Sequence, residues 1–247
     1  MIQGPLYAVV PAAGVGERMG AGFPKQYLSL AGKTLAEHTL NRLLSFAPIE
    51  KVIVAVSDDD PWWPTLSMAS HPRVTTVTGG ESRARSVRNG VAQALMDGGE
   101  DAWVLVHDMA RPLVRLSDIQ KLLDACDDQG AILALPVVDT IKQAADGHID
   151  KTLARDTIWR ALTPQLFRAA ALYEALGEDL TGITDEASAM ERQGLHPVLV
   201  AGHSDNIKIT VPEDLPLARF YLARQFEAEQ LEVGRFEVGK VEESGGL

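Results

Sequence analysis

The sequence predicts a doubly wound, three-layer α/β sandwich built on a mixed, mostly parallel sheet. Two observations lead there. Short apolar runs rich in β-branched residues recur along the chain as continuous stretches, which marks strands covered on both faces. Helical stretches with recognisable start signals lie between them, and that alternation is the pattern of a layered α/β domain.

The strand-like runs are Leu6 to Val10, Val52 to Val56, Val74 to Val77, Trp103 to Val106, Ala131 to Val138, Val198 to Ala201 and Ile207 to Val211. Among helix starts, Thr34-x-x-Glu37 and Ser117-x-x-Gln120 read as capping boxes. Thr163-Pro164 offers an N-cap followed by Pro at the first helical position. Thr184-Asp185-Glu186 sets a cap and acidic residues where a helix dipole favours them. Two segments break the rhythm. Residues from about 138 to 158 are polar, with Asp146-Gly147 as a turn between extended flanks, and they predict a β-hairpin arm projecting from the sheet. From Phe226 onward the chain carries six glutamates, a composition that predicts a frayed end. The expected organisation is a single domain over 1–225 that includes the arm, followed by an acidic tail over 226–247.

Charge narrows the choice of partners. With 34 acidic against 23 basic side chains the formal charge is −11, which argues against a nucleic-acid coat or an anionic membrane surface. A triphosphate remains possible if the few cations are gathered locally. No apolar run approaches a membrane span. Met1 leads straight into a strand without a basic-then-apolar segment, and Cys126 is the only cysteine, so a reduced cytoplasmic location is expected. Cys126 reads as a buried, inert thiol on a helix face.

The first strand runs into Pro11-Ala12-Ala13-Gly14-Val15-Gly16-Glu17-Arg18-Met19, with Pro24-Lys25 beyond. A loop rich in Gly and Ala after the first strand lets backbone amides approach a phosphate closely. Two familiar templates fail here. The dinucleotide fingerprint needs a glycine where Met19 stands, and a Walker A loop ending at Gly32-Lys33-Thr34 needs one at Tyr27. Arg18 and Lys25 flank the loop, and two such cations suit a reaction in which negative charge shifts onto a leaving pyrophosphate.

Val104 to Val106 is a strongly apolar strand leading into His107-Asp108, at the carboxyl edge where α/β folds place ligands. A carboxylate there either holds Mg²⁺ against phosphate oxygens or caps the next turn, and the sequence leaves both open. Gly79-Gly80-Glu81-Ser82-Arg83-Ala84-Arg85-Ser86-Val87-Arg88 is a glycine turn entering a helix with three arginines; each arginine alone is explained by a solvated helix face. Asp205-Asn206-Ile207-Lys208-Ile209-Thr210 puts a lysine in an apolar run, directed to water or to an anion. The six histidines show no metal spacing, and no nucleophile elbow or Cys-His pair is present.

Taken together and in order, PAAGVGERM, FPKQYL, GGESRARSV, VHDMARP, VVDTIK, LTPQLF, ITDEASAME and DNIKIT resemble the 2-C-methyl-D-erythritol 4-phosphate cytidylyltransferase family of the non-mevalonate isoprenoid pathway. They span about Val9 to Thr210. The resemblance implies a Rossmann-like nucleotidyltransferase fold, CTP and methylerythritol phosphate as substrates, Mg²⁺ as cofactor, and a homodimer with exchanged arms. It also implies roles. Arg18 and Lys25 would neutralise the triphosphate and stabilise the pentavalent α-phosphorus. Asp108 would position Mg²⁺ and part of the acceptor, and Lys208 would be a catalytic residue on the acceptor-phosphate side. Ala12, Ala13, Gly14, Gly16, Gly80, Glu81 and Ser86 would frame the nucleotide. Arg111, Thr140, Arg155, Thr163 and Thr184 would bind the acceptor, Thr140 and Arg155 from the arm of a neighbouring subunit. The family usually has Ala where Met109 stands and often Asp where Glu81 stands. Three rival readings compete with it: a ribitol 5-phosphate cytidylyltransferase, which keeps the chemistry and changes the acceptor; a non-catalytic nucleotide sensor; and a NAD-linked oxidoreductase, which the broken glycine fingerprint disfavours.

Overall fold

The computed structural model describes residues 2–14 and 23–228. The chain runs through β1 (Leu6–Pro11), a 3-10 turn over Lys25–Tyr27, the short pair β2 (Ser29–Leu30) and β3 (Lys33–Thr34), α1 (Leu35–Leu44), β4 (Ile49–Val56) and β5 (Val74–Thr78). It continues through α2 (Arg83–Gly98), β6 (Trp103–Val106), α3 (Leu116–Ala125), β7 (Ala131–Pro136), β8 (Ile141–Ala145) and β9 (His148–Leu153). Then follow β10 (Trp159–Arg168), α4 (Ala169–Leu176), α5 (Glu186–Arg192) and β11 (Val198–Ala201). Residues 214–228 are helical and form α6.

Seven of these strands make one sheet in the order β11-β7-β10-β6-β1-β4-β5. Every neighbouring pair is parallel except those of β10, which runs antiparallel to both β6 and β7. The period of two along each strand sends alternate residues to opposite faces. In β1, Leu6, Ala8 and Val10 pack in one core with Leu40 and Leu43 of α1 and Ile119 and Leu122 of α3. Tyr7 and Val9 pack in the other with Val87 and Val91 of α2, Leu172 of α4 and Met190 of α5. Helices on both faces give three layers, each fully buried Leu or Val contributing about 1.5–3 kcal/mol. A smaller cluster of Leu30, Leu35, Leu113, Ile209 and Ala218 seats α6.

Local chemistry explains several element boundaries. Thr34 caps α1 in a full capping box: Glu37 N–H donates to the Thr34 hydroxyl, and Thr34 N–H donates to the Glu37 carboxylate at 2.7 Å. Asp146 (φ 49°) and Gly147 (φ 78°) both take the left-handed conformation required by a tight hairpin turn, and β8 and β9 pair across it as a separate two-stranded sheet. No helix among the described residues is long and apolar enough to cross a membrane.

Other expectations are corrected. Thr163-Pro164 lies inside β10 and starts no helix. Proline is tolerated there because the ladder to β7 shifts register between Ala161 and Gln165, where no backbone donor is needed. Ser117 is not a cap; α3 begins at Leu116 after Arg115, which makes no side-chain cap bond. Residues 207–211 are no sheet strand, and the Ile209 amide bonds to the Ala110 carbonyl at 2.9 Å instead. Asp185, one residue after Thr184, caps α5. Cys126 is the half-buried C-cap of α3, with its thiol pushed up to about 12, chiefly by burial. Helix α6 spans the expected boundary at 225, and residues 229–247 of the tail lie outside the described residues.

Candidate active site

The carboxyl ends of β1 and β6, neighbours in the sheet, open onto a cavity of about 320 Å³. Its first wall is the start of the glycine loop. The Ala12 amide bonds to the Ala55 carbonyl at 2.7 Å, and buried Gln26 donates to the Ala12 carbonyl at 2.8 Å. Both bonds hold Ala12, Ala13 and Gly14 against the cavity. Lys25 lines it from the 3-10 turn and donates to the Ile209 carbonyl at 3.2 Å. Gly16 and Arg18 lie outside the described residues.

The opposite wall is the entrance to α2. Ser82 caps the helix by accepting from Arg85 N–H, and Gly80 N–H donates to the Ser86 hydroxyl at 3.0 Å. A side chain at Gly79 would collide with the Ala13 methyl, so the two loops meet only because residue 79 is glycine. Gly80, Glu81 and Ser86 line the cavity, as does buried Met109. Glu81 is largely exposed and lies 3.7 Å from Arg85.

Asp108 forms the floor. Its Oδ1 accepts from Arg83 Nε at 2.9 Å, its Oδ2 lies 2.9 Å from Lys208 Nζ, and Arg111 Nε is 3.5 Å away. Burial alone would raise the Asp108 pKa. The Arg83, Lys208 and Arg111 charges reverse that and hold it well below the usual carboxylate range. Arg83 in turn forks Glu186. The cluster therefore gathers three cations on two buried carboxylates, in a protein whose total charge is −11.

The Asp108 backbone is fixed from below. Its amide donates to the Thr163 hydroxyl at 3.1 Å, and that hydroxyl lies 3.0 Å from His107 Nδ1. His107 Nε2 faces the Arg111 carbonyl at 2.9 Å, which can only accept, so Nε2 carries the proton. Nδ1 is then the acceptor and Thr163 donates to it. Complete burial lowers the His107 pKa to about 4 and keeps the ring neutral. Arg111 reaches the Asn206 carbonyl at 2.7 Å, and the Asn206 amide donates to the Thr163 carbonyl at 2.8 Å.

A second cavity of about 240 Å³ adjoins the first and includes Arg111, Thr163 and Thr184. Arg83, Asp108 and Lys208 line both, so these three side chains form the junction. Thr140 and Arg155 line neither; both are exposed, with Arg155 bonded to the Val138 carbonyl on the arm. A further cavity of about 570 Å³ between α1 and α6 holds none of the candidate residues.

Sequence reasoning passed over Arg83 and Glu186. Arg83 reads locally as one of three helix-face arginines, and only the fold brings Glu186 to it. A glutamate at the first turn of a helix, expected to serve the dipole, carried no separate signal.

Among the described residues no three His, Cys, Asp or Glu side chains converge as a metal cage. Asp108 is nevertheless ionised and lines the cavity. A carboxylate accepts at about four lone-pair positions, so it fits a divalent cation whose other ligands are phosphate oxygens and water.

A mostly parallel sheet with cations and a carboxylate converging at its carboxyl edge, beside a Gly/Ala loop, defines a nucleotidyltransferase. The model of the 2-C-methyl-D-erythritol 4-phosphate cytidylyltransferase family matches residues 6–224, and the chain belongs to that family. Proteins of that name from Vibrio atlanticus and Haemophilus influenzae are each 54% identical, over 87% and 88% of this chain and 94% and 96% of theirs. A crystal structure of 4-diphosphocytidyl-2C-methyl-D-erythritol synthase is 37% identical with a TM-score of 0.78, covering 90% of this chain and all of that one. The Thermus thermophilus cytidylyltransferase structure is 30% identical with a TM-score of 0.71, over 89% of this chain and 99% of its own.

Proposed function

We propose that the two joined cavities transfer the cytidylyl group of CTP to 2-C-methyl-D-erythritol 4-phosphate, giving 4-diphosphocytidyl-2-C-methyl-D-erythritol and pyrophosphate in non-mevalonate isoprenoid synthesis. The observation that carries this reading is the junction: Arg83, Asp108 and Lys208 face both a nucleotide-sized cleft and a smaller polar one.

In this reading Ala12, Ala13, Gly14, Gly16, Gly80, Glu81 and Ser86 frame cytosine and ribose, and Arg18 and Lys25 neutralise the triphosphate. Lys208, Arg111, Thr163 and Thr184 bound the acceptor cleft. An oxygen of the acceptor phosphate attacks the α-phosphorus while the bond from α-phosphorus to its bridging oxygen breaks. The electron pair leaves with pyrophosphate, and no enzyme group becomes covalently attached. Lys25 and Lys208 hold two polyanions together and offset charge as it moves onto the leaving group. Mg²⁺ held beside Asp108 would supply further neutralisation of the phosphate oxygens. Thr163 acts chiefly through the Asp108 amide that its hydroxyl supports.

Thr140 and Arg155 serve the acceptor cleft of a second copy in a cytoplasmic homodimer with exchanged arms. Two features support this: among the described residues the arm pairs only with itself as a sheet, and Val138 and Ile149 are 74% and 67% exposed on it. Large apolar side chains left in water call for a covering surface.

The test is pyrophosphate release with CTP and Mg²⁺, comparing methylerythritol phosphate with ribitol 5-phosphate. Release with the former alone is expected. Release with ribitol phosphate alone would keep the chemistry and overturn the acceptor, and silence with both would favour a nucleotide sensor.

A further inference from the structure

Glu186 opens α5 and is 1% exposed, yet none of the roles above uses it. A carboxylate taken this far from water is costly unless paired and hydrogen-bonded. Its partner comes from α2. Arg83 Nη1 donates to Oε1 at 2.6 Å and Nη2 donates to Oε2 at 3.1 Å. Two parallel bonds fix the plane of the guanidinium as well as its position. Once that plane is set, the remaining donor Nε points at Asp108 Oδ1, 2.9 Å away.

The fork decides how Asp108 is approached. With both Nη groups held by Glu186, Arg83 offers Asp108 a single bond through Nε and leaves the rest of the carboxylate for Lys208 and the junction. Without Glu186, the same guanidinium can turn and take Asp108 with two nitrogens, the favoured arginine–carboxylate geometry. That rotation would draw the carboxylate away from the cleft.

The placement of α5 does not depend on this bond. Asp185 caps the helix, and Gln165 of β10 pins its first turn by donating to Asp185 at 2.9 Å and accepting from Ala187 N–H at 2.9 Å. Glu186 is therefore separable from the anchoring of its own helix.

We infer that Glu186 is a positioning residue for the transfer reaction: by forking Arg83 it sets the direction in which Asp108 faces the junction of the two cavities. The inference rests on the reading of that junction as the place where CTP and the acceptor phosphate meet. It adds two residues, Glu186 and Arg83, to those the reaction needs.

A double-mutant cycle tests it. Glu186→Gln keeps the shape and removes the charge. It is expected to lower kcat by roughly 10- to 100-fold, the effect of losing a hydrogen-bonded charge, with the KM for CTP within about twofold. Arg83→Ala should cost at least as much. Because Glu186 acts through Arg83, the double variant should be no slower than Arg83→Ala alone. Multiplying losses, or a wild-type kcat in Glu186→Gln, would overturn the inference. If Glu186→Gln loses cooperative unfolding, Glu186→Asp, too short to keep both arms of the fork, is carried through the same cycle under the same criteria. A crystal structure of the folded variant reads the clamp without reference to turnover. Arg83 turned to bond Asp108 through two nitrogens is expected. Arg83 unmoved overturns the inference, even if the wild type proves inactive with these substrates and the proposed function itself falls.

Discussion

The floor of the cavity and the arm make opposite use of charged and polar residues. At the floor, Asp108, Arg111 and Glu186 are buried and paired: Asp108 with Arg83, Lys208 and Arg111, and Glu186 with Arg83 through both carboxylate oxygens. On the arm almost every residue of β8 and β9 is exposed, and Thr140 and Arg155 lie in water at its base. Charges at the floor are oriented before any substrate arrives, so reorganisation during the reaction is small. The arm has a hairpin ladder and no core of its own, and an isolated two-stranded hairpin is only marginally stable. The contrast teaches that one chain builds a buried, pre-oriented floor and leaves its arm exposed, as the proposed exchange of arms requires.

The sharpest way to break this comparison is at the floor. Lys25→Ala removes a cation that faces the cavity while burying nothing new. Turnover should fall about 100- to 1000-fold with thermal unfolding unchanged. Near-normal turnover would remove Lys25 from the charge-stabilising role. Asp108→Asn leaves three cations with only the Glu186 carboxylate among them and should lower the unfolding free energy by about 3–5 kcal/mol, measured by urea titration at neutral pH. A change below 1 kcal/mol would mean that the cluster is solvated like a surface ion pair.

The neutral His107 beneath Asp108 gives a pH signature. Its pKa is about 4 in the fold against 6.5 in the ordinary range, because burial disfavours the charged ring. Between those values the unfolded chain binds a proton that the folded chain does not. Stability is therefore full above about pH 6.5 and falls as pH drops toward 4, by about 3 kcal/mol in total. Urea midpoints across that range should show the slope, and His107→Gln should flatten it. The smallest effect belongs to the arm. Gly147→Ala at φ 78° should cost about 1 kcal/mol locally. It should speed hydrogen exchange in β8 and β9 while leaving the main thermal transition in place; a shift of that transition would tie the arm to the core.

The sequence made the sheet legible because its strands are buried on both faces and stand out as apolar runs. Trp103 to Val106 and Val198 to Ala201 match their strands to the residue. The capping box at Thr34 and the Asp146-Gly147 turn were readable because their chemistry is local. Ile207 to Val211 misled because a β-branched run fits any extended segment, and here its backbone is claimed by the Ala110 loop. Thr163-Pro164 misled because cap-then-proline is a local rule, overridden by the register shift in β10. Most candidate residues of the floor were found from motif order. The Arg83–Glu186 fork was invisible because its two halves are brought together by the packing of α2 and α5 against α4, which no local pattern encodes.

In the proposed working site, a buried floor from one chain meets an arm from another. Mixing Lys25→Ala and Arg155→Ala subunits tests it most directly. Each variant alone should be nearly inactive. Random pairing makes half the dimers mixed, each with one intact site of two, so activity should return to about a quarter of the wild-type value. Mixed dimers detected by native mass spectrometry without any regain of activity would contradict the shared site.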